Sequence, residues 1–555
     1  MQLEALWIAA YLLATSWFAP PLGHGLYTAI ENFFSGLAAK PSRCVLAIFF
    51  ATIVLRLLIL PIFPIPHPYA PDEFCYLLQA DMFAHGHISY PPHPMAAYLE
   101  TFYVTFHPTY STMYSPAQSV ALALGQLLGH PWIGVLLSTA AMVAAILWML
   151  QGWLPPRWAL LGAIIVLIRI ALFSYWMNSY WGGSVAALGA ALVLGAIPRL
   201  KKTQRTRDAL LLGLGIIILA NSRPLEGFIF CIPVAIILFL WLLDLRKKQQ
   251  PIPVRRVLLP ILFCLFANFI FTLYYNWRIT GDPFAVPRAV YYKQFLSVSP
   301  FIWGKIGPPL HYANPQYDAF FNGWIRSIYT RTWDSLRQNE LLRLNEFWLF
   351  LVGVPFSVAF LTLPSLLKDR RIRPALWHFL VCVLGLVVVT WFEPHYAAPA
   401  FCIFLIILFQ AIRHLRTWQC RSSPVGVSLT RQIVTLTLLS IPVCLYEHVQ
   451  NPHGITCWSY QPLWTRAHIA YWLQNMPGDH LVIVRYPPHH DYRDQWVYNA
   501  ADIDHSRIVW AHDAPGQDLS PLLSYFSNRK VWILEPDSVP PQLYSYTGQP
   551  PWPTQ

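Results

Sequence analysis

Eleven long apolar segments constrain the fold of this 555-residue chain more than any other feature of its sequence. A helix that crosses roughly 30 Å of hydrocarbon needs about 20 mostly apolar residues. Charged residues make up only 12% of the chain, against about 25% in a typical soluble protein. The pattern predicts an all-α polytopic membrane protein with about 11–12 spans. The segments lie near residues 43–62, 131–150, 157–176, 181–198, 208–222, 225–245, 256–275, 347–366, 375–392, 396–415 and 431–448.

The basic residues indicate how these segments are oriented. More than half of the 38 Lys and Arg residues fall in one alternating set of connections, and such loops face the cytoplasm. The opposite set contains loop 63–130, which has no Lys or Arg, and the long loop 276–346. We therefore expect the large loops on the periplasmic or extracellular side of a cell (inner) membrane. Because the net charge of +12 follows from this topology, nucleic-acid binding is not expected.

The chain divides into three regions by composition. Residues 1–42 are predicted to be an N-terminal hydrophobic helix region, 43–449 the transmembrane module, and 450–555 a small extracytoplasmic α/β domain. In the last region, short β-rich segments alternate with helical ones, which favours a small α/β layer. Its strands are predicted at 480–485, 507–511 and 530–534, and its helices at 466–476 and 519–526.

An acidic pair, Asp72 and Glu73, follows the first long apolar segment. Carboxylates placed this close to hydrocarbon are costly and often functional. Adjacent residues on a helix diverge by about 100°, so only one of the two points at a substrate. We predict Asp72 as the general base, with Glu73 as a second catalytic candidate. The alternative is that both residues favour the positive end of a helix that begins here.

The surrounding residues resemble the start of membrane glycosyltransferases of the GT-C fold. The resemblance is carried by Arg56-Leu57, the Pro-rich segment PIFPIPHPY at 61–69, and the motif Asp72-Glu73-x-x-Tyr76. It is closest to the protein O-mannosyltransferases and the aminoarabinose transferases, a group similar to glycosyltransferase family 39, and it covers about residues 43–415. The tail does not look like the β-rich outer domain of some members. The resemblance implies a GT-C-like bundle, Asp72 as the catalytic carboxylate, Tyr76 near the substrate, and a sugar on a polyprenyl phosphate as donor.

Arg223 and Glu226 lie in the predicted outer turn Asn-Ser-Arg-Pro-Leu-Glu. The resemblance implies that Arg223 binds the lipid phosphate, and a guanidinium suits this task because it binds phosphate bidentately. The alternative is that Arg223 pairs with Glu226 and locks the turn.

Four further residues are candidates for substrate binding. His395 and Tyr396 match a segment near the outer end of a late span in the same enzymes, although an ordinary turn with an interfacial tyrosine gives the same pattern. Lys293 and Arg288 lie in loop 276–346, which we interpret as a lid, and both are secondary candidates for binding the phosphate.

These features predict an integral membrane glycosyltransferase that moves a sugar from a polyprenyl-phosphate carrier to a lipid, glycan or protein acceptor. No metal-binding residues are predicted, and the resemblance leaves a divalent cation open as a cofactor. Two alternatives of other classes are a lipid-linked glycan transporter or flippase, and a non-catalytic membrane scaffold. Deep polar residues in many spans would favour the transporter, whereas the scaffold gives no reason for the acidic pair.

Overall fold

The fold was analysed in a computed structural model. It describes residues 23–546 with gaps at 313, 330–331, 420–422, 457–458, 461–464, 488, 492–493 and 515, together with the isolated residues 11 and 14. Most of the predicted N-terminal apolar stretch lies outside the described residues.

Helices dominate the described part of the chain. Those of the first half are α1 (His24–Ala38), α2 (Pro41–Leu58), α3 (Pro71–Ala84), α4 (Ala96–Leu99), α5 (Ala117–Leu127), α6 (Pro131–Trp153), α7 (Pro156–Val166), α8 (Ser184–Thr203), α9 (Thr206–Ser222), α10 (Pro224–Lys247), and α11 (Leu259–Thr280). Those of the second half are α12 (Pro287–Phe295), α13 (Pro315–Tyr317), α14 (Arg326–Ile328), α15 (Trp333–Glu346), α16 (Leu363–Lys368), α17 (Arg373–Val387), α18 (Ala398–Arg416), α19 (Val425–Gln450), α20 (Arg466–Gln474) and α21 (Ser520–Tyr525). π- and 3-10-helical turns at Leu167–Leu172, Val254–Leu258, Asp318–Ile325, Phe347–Val352, Val354–Thr362 and Pro394–Ala397 extend several of them.

The helical bundle has the dimensions of a multi-pass membrane protein. Within the described ranges, seven helices are long and apolar enough to cross a membrane, and a bent pair raises the number to eight. All eleven predicted segments contain helix, but several are shorter than a full span. The span Pro394–Arg416 is 94% buried and forms the centre of the bundle, whereas Val254–Thr280 is only 11% buried and exposes its apolar side chains. This arrangement confirms the predicted fold class.

The bent pair explains why an arginine lies within an apolar segment. The axes of Trp333–Val352 and Val354–Lys368 differ by 96°, and Gly353 between them has a φ of +82°. The guanidinium of Arg169 donates hydrogen bonds to the carbonyls of Val352, Leu349 and Phe350, just before the bend. Arg169 therefore stabilises a break between two helices.

The segment 276–346, which was predicted to be a loop, contains the helices α12 and α15.

The tail forms a four-stranded sheet. The strands are β5 (His480–Val484), β6 (Ile508–His512), β7 (Lys530–Glu535) and β8 (Gln542–Ser545), in the order β6-β5-β7-β8. The first three are parallel and match the predicted strands, while β8 adds an antiparallel edge that the sequence analysis missed. Two-residue strands form small hairpins elsewhere, β1 (Val104–Thr105) with β2 (Ser111–Thr112) and β3 (Ile455–Thr456) with β4 (Ser459–Tyr460).

The sheet shares its hydrophobic core with the segment 63–130. Leu481, Ile483 and Val509 are buried in one cluster with Phe74 and Tyr76 of α3. Since burial of apolar area stabilises this contact by roughly 25 cal/mol per Å², the tail and the loop stabilise each other.

Candidate active site

Glu73 organises the backbone around the start of α3. Its Oε2 atom accepts hydrogen bonds from the N–H groups of Tyr69 (2.7 Å) and Ala70 (3.0 Å). Its Oε1 atom accepts one from the N–H of Tyr180, at 2.9 Å. Both carboxylate oxygens are therefore engaged by backbone donors, which favours a structural role for Glu73 over the catalytic one.

We expect Glu73→Ala to destabilise the protein by about 1–3 kcal/mol, because it leaves buried N–H groups without an acceptor. Thermal unfolding in detergent measures this as a lower Tm. Glu73→Gln keeps one acceptor oxygen and should lie between Glu73→Ala and the wild type. An unchanged Tm in Glu73→Ala would contradict the structural role.

Asp72 points to the other side of the helix. Its Oδ1 atom accepts a short hydrogen bond from the hydroxyl of Tyr114. Burial raises the pKa of Asp72, and the side chains of Tyr114, Trp181 and Arg223 oppose this shift by stabilising the carboxylate. A half-buried carboxyl with a raised pKa is the kind of group that acts as a general base near neutral pH.

Arg223 lies where α9 ends and α10 begins. Its side chain is 7% exposed, and the guanidinium lies 4.0 Å from the centroid of the Tyr396 ring. Among the described residues, it has no hydrogen-bonded or ion-paired side-chain partner, so the alternative of a direct ion pair with Glu226 is not seen. Burial lowers the pKa of Arg223, but Tyr76, Tyr396 and Glu226 outweigh this effect and raise it, so Arg223 stays charged.

A second arginine, Arg288 at the start of α12, joins this cluster. Its guanidinium lies 5.5 Å from the ring centroid of Tyr114. Burial lowers the pKa of Arg288, but the nearby tyrosines, Tyr292 and Tyr396 first among them, raise it overall. Lys293, the other candidate phosphate ligand of this segment, is exposed. Because α12 turns Arg288 inward and Lys293 outward, Arg288 is the better placed cation.

The remaining residues predicted for the site are buried side chains or line a nearby cleft. Tyr76, one helical turn after Asp72, is buried with its ring centroid 4.7 Å from that of Tyr114. His395 is 1% exposed, and its Nδ1 atom lies 3.0 Å from the hydroxyl of Tyr175. Glu226 and Tyr396 line a narrow cleft between α10 and α17 whose deeper walls are apolar.

The sequence analysis did not select Glu393 as a site residue, although it lies next to two that were predicted. Burial raises the pKa of Glu393 to about 8, and the charges of Glu346 and Asp72 add to the shift. Glu393 is therefore mostly protonated at pH 7. The third arginine considered from the sequence, Arg56, is fully buried and donates to the carbonyl of Phe63 (2.9 Å) and to Asn178 (2.8 Å), away from this cluster.

No family model matches this chain, and no curated protein sequence matches it. Solved structures of low similarity do. ArnT from Cupriavidus metallidurans bound to undecaprenyl phosphate is 12% identical at a TM-score of 0.46, over 90% of this chain and 93% of that one. An oligosaccharyltransferase from Archaeoglobus fulgidus with zinc and sulfate is 11% identical at a TM-score of 0.45, over 89% and 67% of the two chains. The proposals below therefore rest on the residues of this chain.

Proposed function

We propose that this protein is a membrane glycosyltransferase that moves a sugar from a polyprenyl-phosphate carrier to a hydroxyl acceptor on the non-cytoplasmic face. One observation carries the proposal: the carboxylate of Asp72 and the guanidinium groups of Arg223 and Arg288 share one tyrosine-lined cluster. A base next to unpaired cations suits a reaction that removes a proton and releases a phosphate.

In the proposed reaction, Asp72 accepts the proton of the acceptor hydroxyl. The hydroxyl oxygen then attacks the anomeric carbon of the sugar while the bond from that carbon to the phosphate oxygen breaks. The electron pair of that bond stays on the polyprenyl phosphate, and Arg223 and Arg288 stabilise its negative charge. A single displacement inverts the anomeric carbon.

The cleft lined by Glu226 and Tyr396 supports a lipid-linked donor. Ile229, Cys382 and Leu386 also line it, and the ring of Tyr396 lies 4.0 Å from the guanidinium of Arg223. An isoprenoid chain in this cleft would place its phosphate next to Arg223, since charged head groups remain at the membrane surface while apolar tails enter the bilayer.

The direct test uses the purified chain with a polyprenyl-phosphate sugar and a hydroxyl acceptor. We expect one polyprenyl phosphate to be released for each glycoside formed. If the sugar–phosphate bond stays intact while the lipid crosses the bilayer of proteoliposomes, the transporter interpretation is correct instead.

Tyr114→Phe should shift the pH dependence of the reaction. The Tyr114 hydroxyl stabilises the charged form of Asp72 and so lowers its pKa. Removing this donor raises the pKa, and a base that must be deprotonated then works only at higher pH. We expect the acidic limb of the kcat/KM profile to move to higher pH. The control is Tyr274→Phe, because the side chain of Tyr274 is half-exposed. An unmoved limb would contradict the role of Asp72 as base.

A further inference from the structure

The helix α3 has two faces with different surroundings. Phe74 and Asp81 lie about 180–200° around the helix axis from Asp72, at about 100° per residue. Asp72 faces Tyr114. Phe74 and Asp81, on the opposite face, contact a different part of the chain.

The tail of the protein contacts this opposite face. The ring of Tyr498 stacks on that of Phe74, with centroids 4.4 Å apart and planes inclined by 7°. Two turns further along α3, the N–H of Ala501 donates a 2.9 Å hydrogen bond to Oδ2 of Asp81. The other oxygen of Asp81 accepts from Gln126 at 2.8 Å.

The contacting segment of the tail is itself fixed. The Nε and Nη2 atoms of Arg466 donate to the carbonyls of Trp496 (2.9 Å) and Tyr498 (2.5 Å). The same guanidinium lies 5.6 Å from the ring centroid of Phe74. Tyr498 is 3% exposed, so its ring is held by packing as well as by the stack.

We propose that the tail segment 496–501 positions the catalytic base, with Tyr498 as the positioning residue that sets the rotation and height of α3. This inference rests on the proposed function of Asp72. Tyr498 contacts the helix at Phe74, on the side opposite the contact of Asp72 with Tyr114, and in this proposal it acts through the rigid backbone between Phe74 and Asp72. Aromatic pairs of this geometry add to the stability of a contact beyond the area they bury, and a misplacement of about 1 Å at a reacting group costs up to about 100-fold in rate.

The test replaces the ring in the full-length protein. We expect Tyr498→Leu to lower kcat by about 10- to 100-fold with little change in KM for the lipid donor, because the phosphate ligands are untouched. Amide hydrogen exchange in residues 71–84 should become faster. Tyr498→Phe keeps the ring and should restore kcat and exchange to wild-type values. Asp81→Ala removes the second contact and should act in the same direction as Tyr498→Leu.

The matched control is Tyr471→Leu, because Tyr471 lies in the same tail but its side chain is 73% exposed. Wild-type kcat in Tyr498→Leu, an equal loss in Tyr471→Leu, or a failure of Tyr498→Phe to restore kcat would each overturn the inference. The exchange measurement needs no turnover. Unchanged exchange in Tyr498→Leu therefore overturns the positioning role by itself, whereas full activity of Asp72→Asn overturns the proposed function.

Discussion

Asp72→Asn should lower kcat by about 10²- to 10⁴-fold, the usual contribution of a general base. Asparagine has nearly the same shape as aspartate, but it cannot accept the proton of the acceptor hydroxyl. Tyr114 and Arg223 keep their positions, so binding of the polyprenyl-phosphate donor should change little. Steady-state kinetics of sugar transfer, combined with direct binding of polyprenyl phosphate, separate these two effects.

The control for this substitution is Asp334→Asn, because the carboxylate of Asp334 is 86% exposed at the start of α15. It should transfer sugar at the wild-type rate. Wild-type turnover in Asp72→Asn, with an unchanged Tm, would contradict the assignment of Asp72 as base.

Arg223→Gln should lower kcat/KM by about 10²- to 10³-fold, as does removal of one preorganised donor that stabilises developing negative charge. It should also weaken the binding of polyprenyl phosphate, because Arg223 has no protein anion as an ion-pair partner among the described residues and its charge is available to a ligand. Arg223→Lys keeps the charge but loses the planar fork that binds phosphate and stacks on Tyr396, so it should be intermediate.

Arg337→Gln is the matched control, since Arg337 belongs to α15 and its side chain is 73% exposed. Loss of the same size in Arg337→Gln would show a general effect of charge, and unchanged donor binding in Arg223→Gln would contradict the phosphate role. Both substitutions are best compared at two salt concentrations, because an exposed charge is screened by salt far more than a buried one.

The acidic pair illustrates how far local sequence can be interpreted. The position of Asp72 and Glu73 at the start of a helix follows from the proline before them and the pattern after them. The sequence favours Asp72 as the base only through its resemblance to known enzymes, because both side chains are carboxylates. Their different surroundings arise because Tyr180, more than a hundred residues away, donates its N–H to Glu73, while Tyr114 donates its hydroxyl to Asp72.

The positively charged side chains of the site show the same limit of what local sequence can predict. Arg223 was predicted from its turn and its resemblance to known enzymes, and the structure places it beside Tyr396. For the 276–346 segment, the sequence offered Lys293 and Arg288 as phosphate candidates, and the structure places Arg288 in the cluster. The two residues are five positions apart on one short helix, and only the packing of that helix decides which of them faces inward.

By itself, the sequence determined the helical membrane architecture, the start of the helix that carries Asp72, and the alternating strands of the tail. These features depend on residues that are close in the chain, since hydrophobic periodicity and loop charge are local properties. Only the tertiary structure decided that backbone donors hold Glu73 while Tyr114 contacts Asp72, that Arg288 rather than Lys293 joins Arg223, and that Tyr498 packs behind Asp72. Those contacts join residues up to about four hundred positions apart, and no local pattern specifies them because they form only when the loops and the tail bury their apolar surfaces together.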